Sequence, residues 1–281
     1  MIRIVTDSMS DYTHFPTRAD DVTIVPQPVR FGLEEFMDDG TALPPADFYA
    51  RMRTAPELPQ TSMVAMEDWK RAFNQALTSP DDQVLCLAGS SKLSGGYQSA
   101  LLARKTCCDP ERVAVLDTLS ASIGEILLIM AARAVAQEGI TLAQAMAEVS
   151  LASEKLRLFG MADDLKYLVM GGRLNPLIGK VGGALNIKPA LKLEGGVIEK
   201  AGVVRGVKKG YTWYADMLRQ HRPDRRYPVL VGGADCPEAV EAIRRQLLDA
   251  GLAEDIQIAQ VGCVIGAHVG PGTTLVSWVE E

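Results

Sequence analysis

Residues 83–116 have the sequence QVLCLAGSSKLSGGYQSALLARKTCCDPERVAVL, and this stretch decides the fold class of the chain. Its apolar run at Gln83–Ala88 predicts a buried strand, because it is short and is followed at once by glycine and serine. Ser94–Lys105 is long enough for a helix, and Arg112–Leu116 is a second short apolar run. A strand, a helix and a strand in this order predict a βαβ unit of an open parallel sheet.

The same alternation continues on both sides of this unit. Ile2–Thr6 predicts a strand, Glu67–Leu77 a helix with one apolar face, and Ser120–Gln137 a long apolar helix. Another helix is predicted from Thr141 to about Arg157, and Asp20–Asp39 interrupts the pattern with a strand-like stretch and an acidic turn. The first half is therefore expected to be an α/β domain built on a parallel sheet.

The pattern changes in the second half of the chain. Ile187–Leu193 and Val197–Val203 flank the turn residues Glu194–Gly195–Gly196, which predicts a β-hairpin. After it the sequence predicts a helix at 207–221, a strand at 227–233, a helix at 237–250 and a strand at 255–261. We therefore expect two α/β domains, an N-terminal one over residues 1–153 with a parallel sheet and a C-terminal one over residues 154–281 with a mixed sheet.

The composition agrees with two folded domains and narrows the possible partners. A chain of 281 residues, 47% of them hydrophobic, is long enough for two cores. Its net charge of −6 and its small basic patches argue against a nucleic acid as partner, since phosphate neutralisation requires clustered Lys and Arg. No run of about 20 apolar residues is present, so we expect no stable membrane insertion.

The N-terminus and the cysteines bear on the compartment and on metals. The start, MIRIVTDS, lacks the pattern of a signal peptide, so we expect the protein to be cytoplasmic. Five cysteines without CxxC spacing and three histidines give no obvious ligand set for structural zinc. We expect neither a metal nor another cofactor.

Gly89–Gly96, with the sequence GSSKLSGG, is the first candidate for a binding site. It opens a predicted helix, whose N-terminal N–H groups and dipole suit an anion, and its glycines allow close approach. Ser91, Ser94 and Gly95 are therefore candidate ligand contacts. The spacing is not that of the phosphate loop GxxxxGK[ST]. Helix capping is the alternative role for these serines.

The second candidate is Gly262–Gly272, with the sequence GCVIGAHVGPG. Glycines on both sides of His268 and a proline after it indicate a shaped turn that holds an imidazole close to its ligand, with Gly270 nearby. An imidazole can donate a hydrogen bond to an anionic oxygen. A structural or surface role is the alternative for a single histidine.

Two further segments allow two interpretations each. Asp163–Arg173 predicts a helix that Gly171–Gly172 ends, with Arg173 as a cation favoured by the helix dipole. The glycine-rich segment 179–185 favours either a groove or tight packing.

These segments, in their order along the chain, resemble the DegV family, the fatty-acid-binding proteins of bacteria. The matching stretches are Ile4–Ser8, Gln60–Ser62, Ser90–Ala100, Asp117–Ser122, Leu168–Arg173, Leu185–Pro189 and Ile265–Gly272. They span nearly the whole chain, and the ordered set is more specific than any one of them. The resemblance implies two α/β domains with one long-chain fatty acid buried between them.

The resemblance also implies roles for particular residues. Thr61, Ser94 and His268 would hold the carboxylate of the fatty acid. The family's better-understood members present that carboxylate to a separate fatty acid kinase, which forms an acyl phosphate. Arg205 lies where family members carry a basic residue that faces the kinase. The protein would thus be a non-catalytic lipid-binding subunit without catalytic residues of its own.

The sequence departs from the family pattern at a few places. Gly96 replaces the usual threonine, and Met63–Met66 lacks the usual proline. The segment after Gly272 is bulkier than usual. These departures bear on acyl-chain preference and on kinase pairing rather than on head-group binding.

Two alternative functions use the same residues. A serine-type acyl hydrolase would use Ser94 as nucleophile, His268 as base and Asp7 or Asp117 to orient it, although Ser94 is not in a GxSxG elbow. A binder of a phosphorylated small metabolite would use the helix N-terminus at Ser94–Gly96.

Overall fold

A computed structural model describes residues 1–175 and 187–281. Its strands are β1 (Ile2–Asp7), β2 (Val22–Val25), β3 (Pro28–Phe31), β4 (Glu34–Met37), β5 (Gln60–Thr61), β6 (Gln83–Ala88), β7 (Val113–Asp117), β8 (Leu156–Met161), β9 (Ile187–Glu194), β10 (Val197–Arg205), β11 (Val229–Gly233), β12 (Ile256–Gln260) and β13 (Thr274–Val279). Its α-helices are α1 (Pro45–Thr54), α2 (Met66–Ala76), α3 (Gly96–Thr106), α4 (Ile123–Ala136), α5 (Leu142–Lys155), α6 (Lys166–Met170), α7 (Val207–Gln220), α8 (Pro237–Asp249) and α9 (Cys263–Val269). The predicted groove or packing segment 179–185 lies outside the described residues.

The first sheet is parallel and has the strand order β2-β1-β6-β7. Its central strands are apolar because helices cover both faces. Val5, Val84 and Cys86 pack with residues of α2 and α3 on one face. Ile4, Leu85 and Leu87 pack with α4 and α5 on the other. The βαβ unit predicted from residues 83–116 is confirmed.

The second sheet is mixed and has the strand order β10-β9-β8-β13-β11-β12. Only the β11–β12 pair of this sheet is parallel in the described chain, while the other neighbours are antiparallel. The helices α7 and α8 cover one face, where Tyr214, Ile243 and Leu247 are buried beside Trp278. A parallel sheet followed by a mixed sheet confirms the predicted two-domain α/β fold.

The helix α4 lies between the two sheets and packs against both of them. Ile126, Leu127 and Leu128 are fully buried, although they point in different directions around the helix axis. A side chain at Gly232 in β11 would come within 2.7 Å of Ile123, which shows how closely the second sheet approaches the helix. Apart from Glu125, the buried part of the helix is apolar on all sides, while Ala134 in its last turn is exposed.

A small sheet, β4-β3-β5, and the helix α1 complete the N-terminal half. The helix α9 comes from the C-terminal half of the chain, yet it packs against α1, β3 and β5. The chain passes from the parallel sheet to the mixed sheet between α5 and β8, at Lys155–Leu156. The boundary between residues 153 and 154 stays a prediction, since the segment around α9 joins both halves.

Across residues 1–175 and 187–281, no helix combines the length and the apolar character that crossing a membrane requires.

Candidate functional site

A cavity of about 320 Å³ lies between the two large sheets, at the edge where the strands of the parallel sheet end. This edge is where open α/β sheets bind ligands. Its apolar wall is formed by Met9, Met63, Leu93, Ala121, Leu158, Leu168, Leu191, Leu193, Ile198, Val264, Ile265, Val269 and Leu275. Its volume lies within the range of small-molecule sites.

One region of the lining is polar and combines Thr61, Ser62, Ser94, Arg173 and His268. We call these five residues the polar end. The hydroxyl oxygen of Thr61 lies 2.8 Å from Nε2 of His268, although the two residues are 207 positions apart. The short strand β5 places Thr61 opposite Val29 of β3, and α9 carries His268 in its last turn. The fold thus brings together the residues that the resemblance selected.

The segment around His268 is a helix, so the turn predicted there is wrong. Gly262 precedes α9 as its N-cap, and Gly270 ends it with φ of +76°. Gly266 is required inside the helix because a Cβ there would overlap the ring of Tyr49. The glycines therefore serve close packing and termination rather than a loop. Gly270 does not line the cavity, and a Cβ at this position would overlap the ring of Tyr167.

His268 is held in its neutral form. Burial, together with the positive charge of Arg173, lowers the pKa of His268 to about 4. Its Nδ1 is buried and makes no hydrogen bond to the described residues. That nitrogen faces Gly171, where a Cβ would lie 2.6 Å from it. A neutral imidazole with its hydrogen on Nε2 donates to the oxygen of Thr61 and leaves the Thr61 hydroxyl hydrogen available for a ligand.

Arg173 supplies the positive charge of the polar end. Its Nε donates to the carbonyl of Leu93 at 3.1 Å, and its Nη1 donates to the carbonyl of Gly171 at 2.5 Å. Burial lowers the pKa of Arg173. No Asp or Glu among residues 1–175 and 187–281 forms an ion pair with it. From the sequence, Arg173 is assigned only a role at a helix terminus. The signal for a second role is its position after two glycines, which bring the chain close to the cavity.

Ser94 and Gly95 also line the cavity, just before α3. The Ser94 hydroxyl oxygen accepts a hydrogen bond from the backbone N–H of Gly96 at 3.2 Å, so its own hydrogen can point elsewhere. Ser91 does not line the cavity. Its backbone N–H donates to the carboxylate of Asp117 at 3.1 Å, which fixes the turn after β6. The contact that the structure shows for Ser91 is therefore a turn contact of its backbone and not a helix cap.

Four further polar side chains line the cavity, and none of them was assigned a ligand contact from the sequence. They are Gln27, Ser122, Lys192 and Thr273, and Lys192 is paired with Glu194 and Glu199. Gln27 is 2% exposed, and its Nε2 makes no hydrogen bond to the described chain. It lies beside Asp7, whose pKa burial raises to about 7. The sequence around Gln27 contains no motif that indicates a binding site, because the residue lies in an ordinary connection between β2 and β3.

The geometry does not support a Ser-His-Asp arrangement. His268 contacts Thr61 instead of Ser94, and its Nδ1 has no carboxylate partner in the part of the chain described. Asp117 and Asp7 are engaged with backbone N–H groups of Ser91 and Met9. The residues required to activate Ser94 are thus not in place.

Arg205 ends β10 and is exposed, as are Lys208 and Lys209 on the next helix. The strand β10 pairs with β9, which contributes Leu191 and Leu193 to the cavity wall. Arg205 therefore lies on the outside of the hairpin that covers the cavity.

The fold and the cavity define a two-domain α/β protein with an apolar interior site that is positively charged at one end. A family model described as "Uncharacterised protein, DegV family" matches residues 1–281. The chain belongs to the DegV family.

Similar proteins include a fatty acid-binding protein of Thermotoga maritima, which is 31% identical over 282 residues, covering 97% of this chain and 95% of that protein. The structure of a DegV family protein from Thermus thermophilus, described for its fatty acid binding, is 32% identical with a TM-score of 0.89, covering 99% of both chains. The fatty acid kinase B3 protein of Streptococcus pneumoniae, loaded with linoleic acid, has a TM-score of 0.87 over 100% of both chains. Its identity is 23%, so this likeness shows the shared fold.

Proposed function

We propose that the protein binds a long-chain fatty acid in the cavity, with the carboxylate at the polar end. The observation that carries this proposal is Arg173, a cation without a carboxylate partner in the described residues, which lies beside two hydroxyls at the end of an apolar cavity. Relatives of this chain in Thermus and Thermotoga are described as fatty-acid-binding proteins, which supports the same ligand.

The alkyl chain and the carboxylate of the ligand contribute to binding in different ways. Burying an alkyl chain contributes about 0.8 kcal/mol per CH₂, so 14 such groups contribute roughly 11 kcal/mol before the cost of association is subtracted. A buried carboxylate needs several donors to replace water. The hydroxyls of Thr61 and Ser94 can donate to it, His268 orients Thr61, and Arg173 balances its charge.

We further propose that the protein acts as a non-catalytic subunit that presents the carboxylate to a fatty acid kinase. The streptococcal protein of the same fold is named for such a kinase, which supports this assignment. The phosphoryl chemistry would belong to the partner, because Ser94 and His268 lack the arrangement for nucleophilic catalysis. Arg205 is the residue that we assign to the kinase-facing surface.

Denaturing mass spectrometry of the purified protein tests the ligand directly. We expect about one long-chain fatty acid per chain after organic extraction. A stoichiometric phosphorylated metabolite would contradict the proposal and favour the anion-binding alternative.

A serine-reactive phosphonate tests the hydrolase alternative and should leave Ser94 unlabelled. Labelling that Ser94→Ala abolishes would instead indicate an acyl hydrolase.

The kinase assignment has its own test. With the fatty acid kinase of the same organism, Arg205→Glu should lower the rate of acyl phosphate formation about tenfold, while the affinity for the fatty acid stays unchanged. Arg225→Glu is the control, because Arg225 is also exposed and lies outside the hairpin. Equal rates for both variants would remove Arg205 from the interface.

A further inference from the structure

The N-terminus of α9 rests on two buried carboxylates from the N-terminal half of the chain. Oδ2 of Asp38 accepts the backbone N–H of Val264 at 3.1 Å. Oδ1 of Asp11 accepts the backbone N–H of Gly262 at 2.9 Å. Asp38 and Asp11 are 1% and 0% exposed. Two of the N–H groups that a helix start leaves without an internal partner are thus satisfied by side chains that are distant in sequence.

We propose that Asp38 and Asp11 are positioning residues for the carboxylate site, which hold α9 so that His268 lies against Thr61. This inference rests on the proposed function, since the site it serves is the fatty-acid head-group site. Neither aspartate lines the cavity, so both act through the helix.

The helix α9 connects the capped residue Val264 at its start with His268 in its last turn. Val264 and His268 are four residues apart, which is about one helical turn and about 6 Å along the axis. Residues at this spacing lie on the same face of a helix, and both of these line the cavity. A shift or tilt of the helix at Val264 is therefore transmitted to the imidazole.

Each aspartate is itself held by a second contact. Oδ1 of Asp38 lies 2.9 Å from Nε2 of His14. Oδ2 of Asp11 accepts the hydroxyl of Ser122 at 2.5 Å, and Ser122 lines the cavity. Both carboxylates thus have their two oxygens engaged on different elements. Such bidirectional contacts fix a side chain more firmly than a single hydrogen bond.

The fit around the helix start leaves little space for an alternative position. A Cβ at Gly262 would overlap the ring of His14 and lie 3.0 Å from Oδ1 of Asp11. Tyr49 donates its hydroxyl to the carbonyl of Val261 at 3.0 Å, directly before this glycine. Through these contacts residues 261–264 pack against the N-terminal half of the chain. Much of the remaining C-terminal half forms the mixed sheet.

A coupling experiment separates positioning from general stability. The measurement is the dissociation constant of palmitate for delipidated protein with Asp38→Ala, with His268→Ala and with both substitutions. We expect Asp38→Ala to weaken binding about tenfold in the wild-type background and less than twofold when His268 is already absent. An equal loss in both backgrounds would overturn the proposal, because Asp38 would then act independently of His268.

Asp38→Asn supplies the conservative variant. Its amide oxygen can still accept the N–H of Val264, and its NH₂ can donate to a neutral His14, so we expect binding within about threefold of the wild type. Asp82→Ala is the structural control, since Asp82 is also buried and its carboxylate accepts the backbone N–H of Ser79 at 2.9 Å. That substitution should lower stability without changing the affinity for palmitate.

A spectroscopic measurement keeps the test valid if Asp38→Ala does not fold. The NMR signals of the His268 ring should shift in ligand-free Asp11→Ala protein, in which the N–H of Gly262 loses its acceptor, and should stay near their wild-type positions in Asp38→Asn and Asp82→Asn. Unchanged His268 signals in Asp11→Ala would overturn the positioning role. Absence of palmitate binding by the wild type would instead overturn the proposed function, so the two failures are distinguishable.

Discussion

The polar end and the apolar wall of the cavity are built on different principles. At the polar end, Thr61 and His268 are in direct contact, and Arg173 is fixed by two carbonyls. The wall consists mainly of leucine, isoleucine and valine side chains from both halves of the chain, such as Leu93 and Ile265. The wall sets how much apolar surface a ligand can bury, whereas the polar end sets which head group it can carry.

The two regions should therefore respond differently to substitution. Changes in the wall should act in proportion to volume and polarity, and they should affect every ligand with the same tail. Changes at the polar end should depend on single donor atoms, and they should alter the preference between head groups. The following experiments test this division.

The largest effect is expected from a charge in the wall. Leu193→Glu should weaken palmitate binding more than 100-fold, because a carboxylate would be buried beside the alkyl chain without a partner. Palmitate and hexadecanol should lose affinity by the same factor in a fluorescent-probe displacement assay. Val197→Glu is the control on the same hairpin, since Val197 is 39% exposed and should tolerate the change. A loss confined to palmitate would contradict the division.

The second largest effect is expected from the donors of the polar end. Thr61→Val together with Ser94→Ala should weaken palmitate binding roughly 30-fold, because each lost hydrogen bond to a charged group is worth about 1.5–3 kcal/mol and water compensates in part. Hexadecanol should lose much less, so the ratio of the two affinities should fall. Leu193→Met serves as comparison, since it should change both affinities alike. An unchanged ratio in the double variant would mean that the head group lies elsewhere.

The sequence predicted some of the strands that carry the wall more directly than it predicted the polar end. The hairpin around Gly195 indicates the two strands that carry Leu191, Leu193 and Ile198. Thr61 and Ser94 were assigned through family resemblance, since β5 is only two residues long and has no periodicity of its own.

Two features of the polar end were missed for physical reasons. Arg173 after Gly171 has the same pattern as an ordinary helix end, and only the cavity shows its second role. The segment with His268 has so many glycines that its intrinsic helix propensity is low. It is helical because Phe48 and Tyr49 pack against it and because Asp11 and Asp38 cap it, and those contacts are distant in sequence.

A third, smaller effect concerns the neutral state of His268. Its pKa is about 4 in the folded protein and about 6.5 in the unfolded chain, so the unfolded chain binds more protons between these values. His268 therefore contributes stability above pH 6.5 that is lost as the pH falls towards 4. In delipidated protein, lowering the pH from 8 to 5.5 should cost the wild type about 1 kcal/mol more than His268→Gln.

The comparison with His268→Gln is necessary because other groups act in the opposite direction. Burial raises the pKa of Asp7 and of Asp11 to about 7, so their contribution increases as the pH falls through 7. These groups are present in both proteins and cancel in the difference. Urea unfolding at the two pH values provides the measurement. Identical pH dependence of wild type and variant would mean that the imidazole is not held neutral.

The smallest effect is expected where the chain backbone meets the polar end. Gly171→Ala places a methyl group 2.6 Å from Nδ1 of His268 and 2.9 Å from the carbonyl oxygen of Tyr167, so both the imidazole and the adjoining backbone must shift. Since the hydroxyl of Thr61 is oriented by that imidazole, palmitate should bind about threefold more weakly, while hexadecanol should be affected less. Gly202→Ala is the matched control, because among the described residues no heavy atom lies within 4 Å of a Cβ there. Equal palmitate affinities for Gly171→Ala and Gly202→Ala would show that the polar end tolerates small displacements as the wall does. The difference between the wall and the polar end would then depend only on which donor atoms are present.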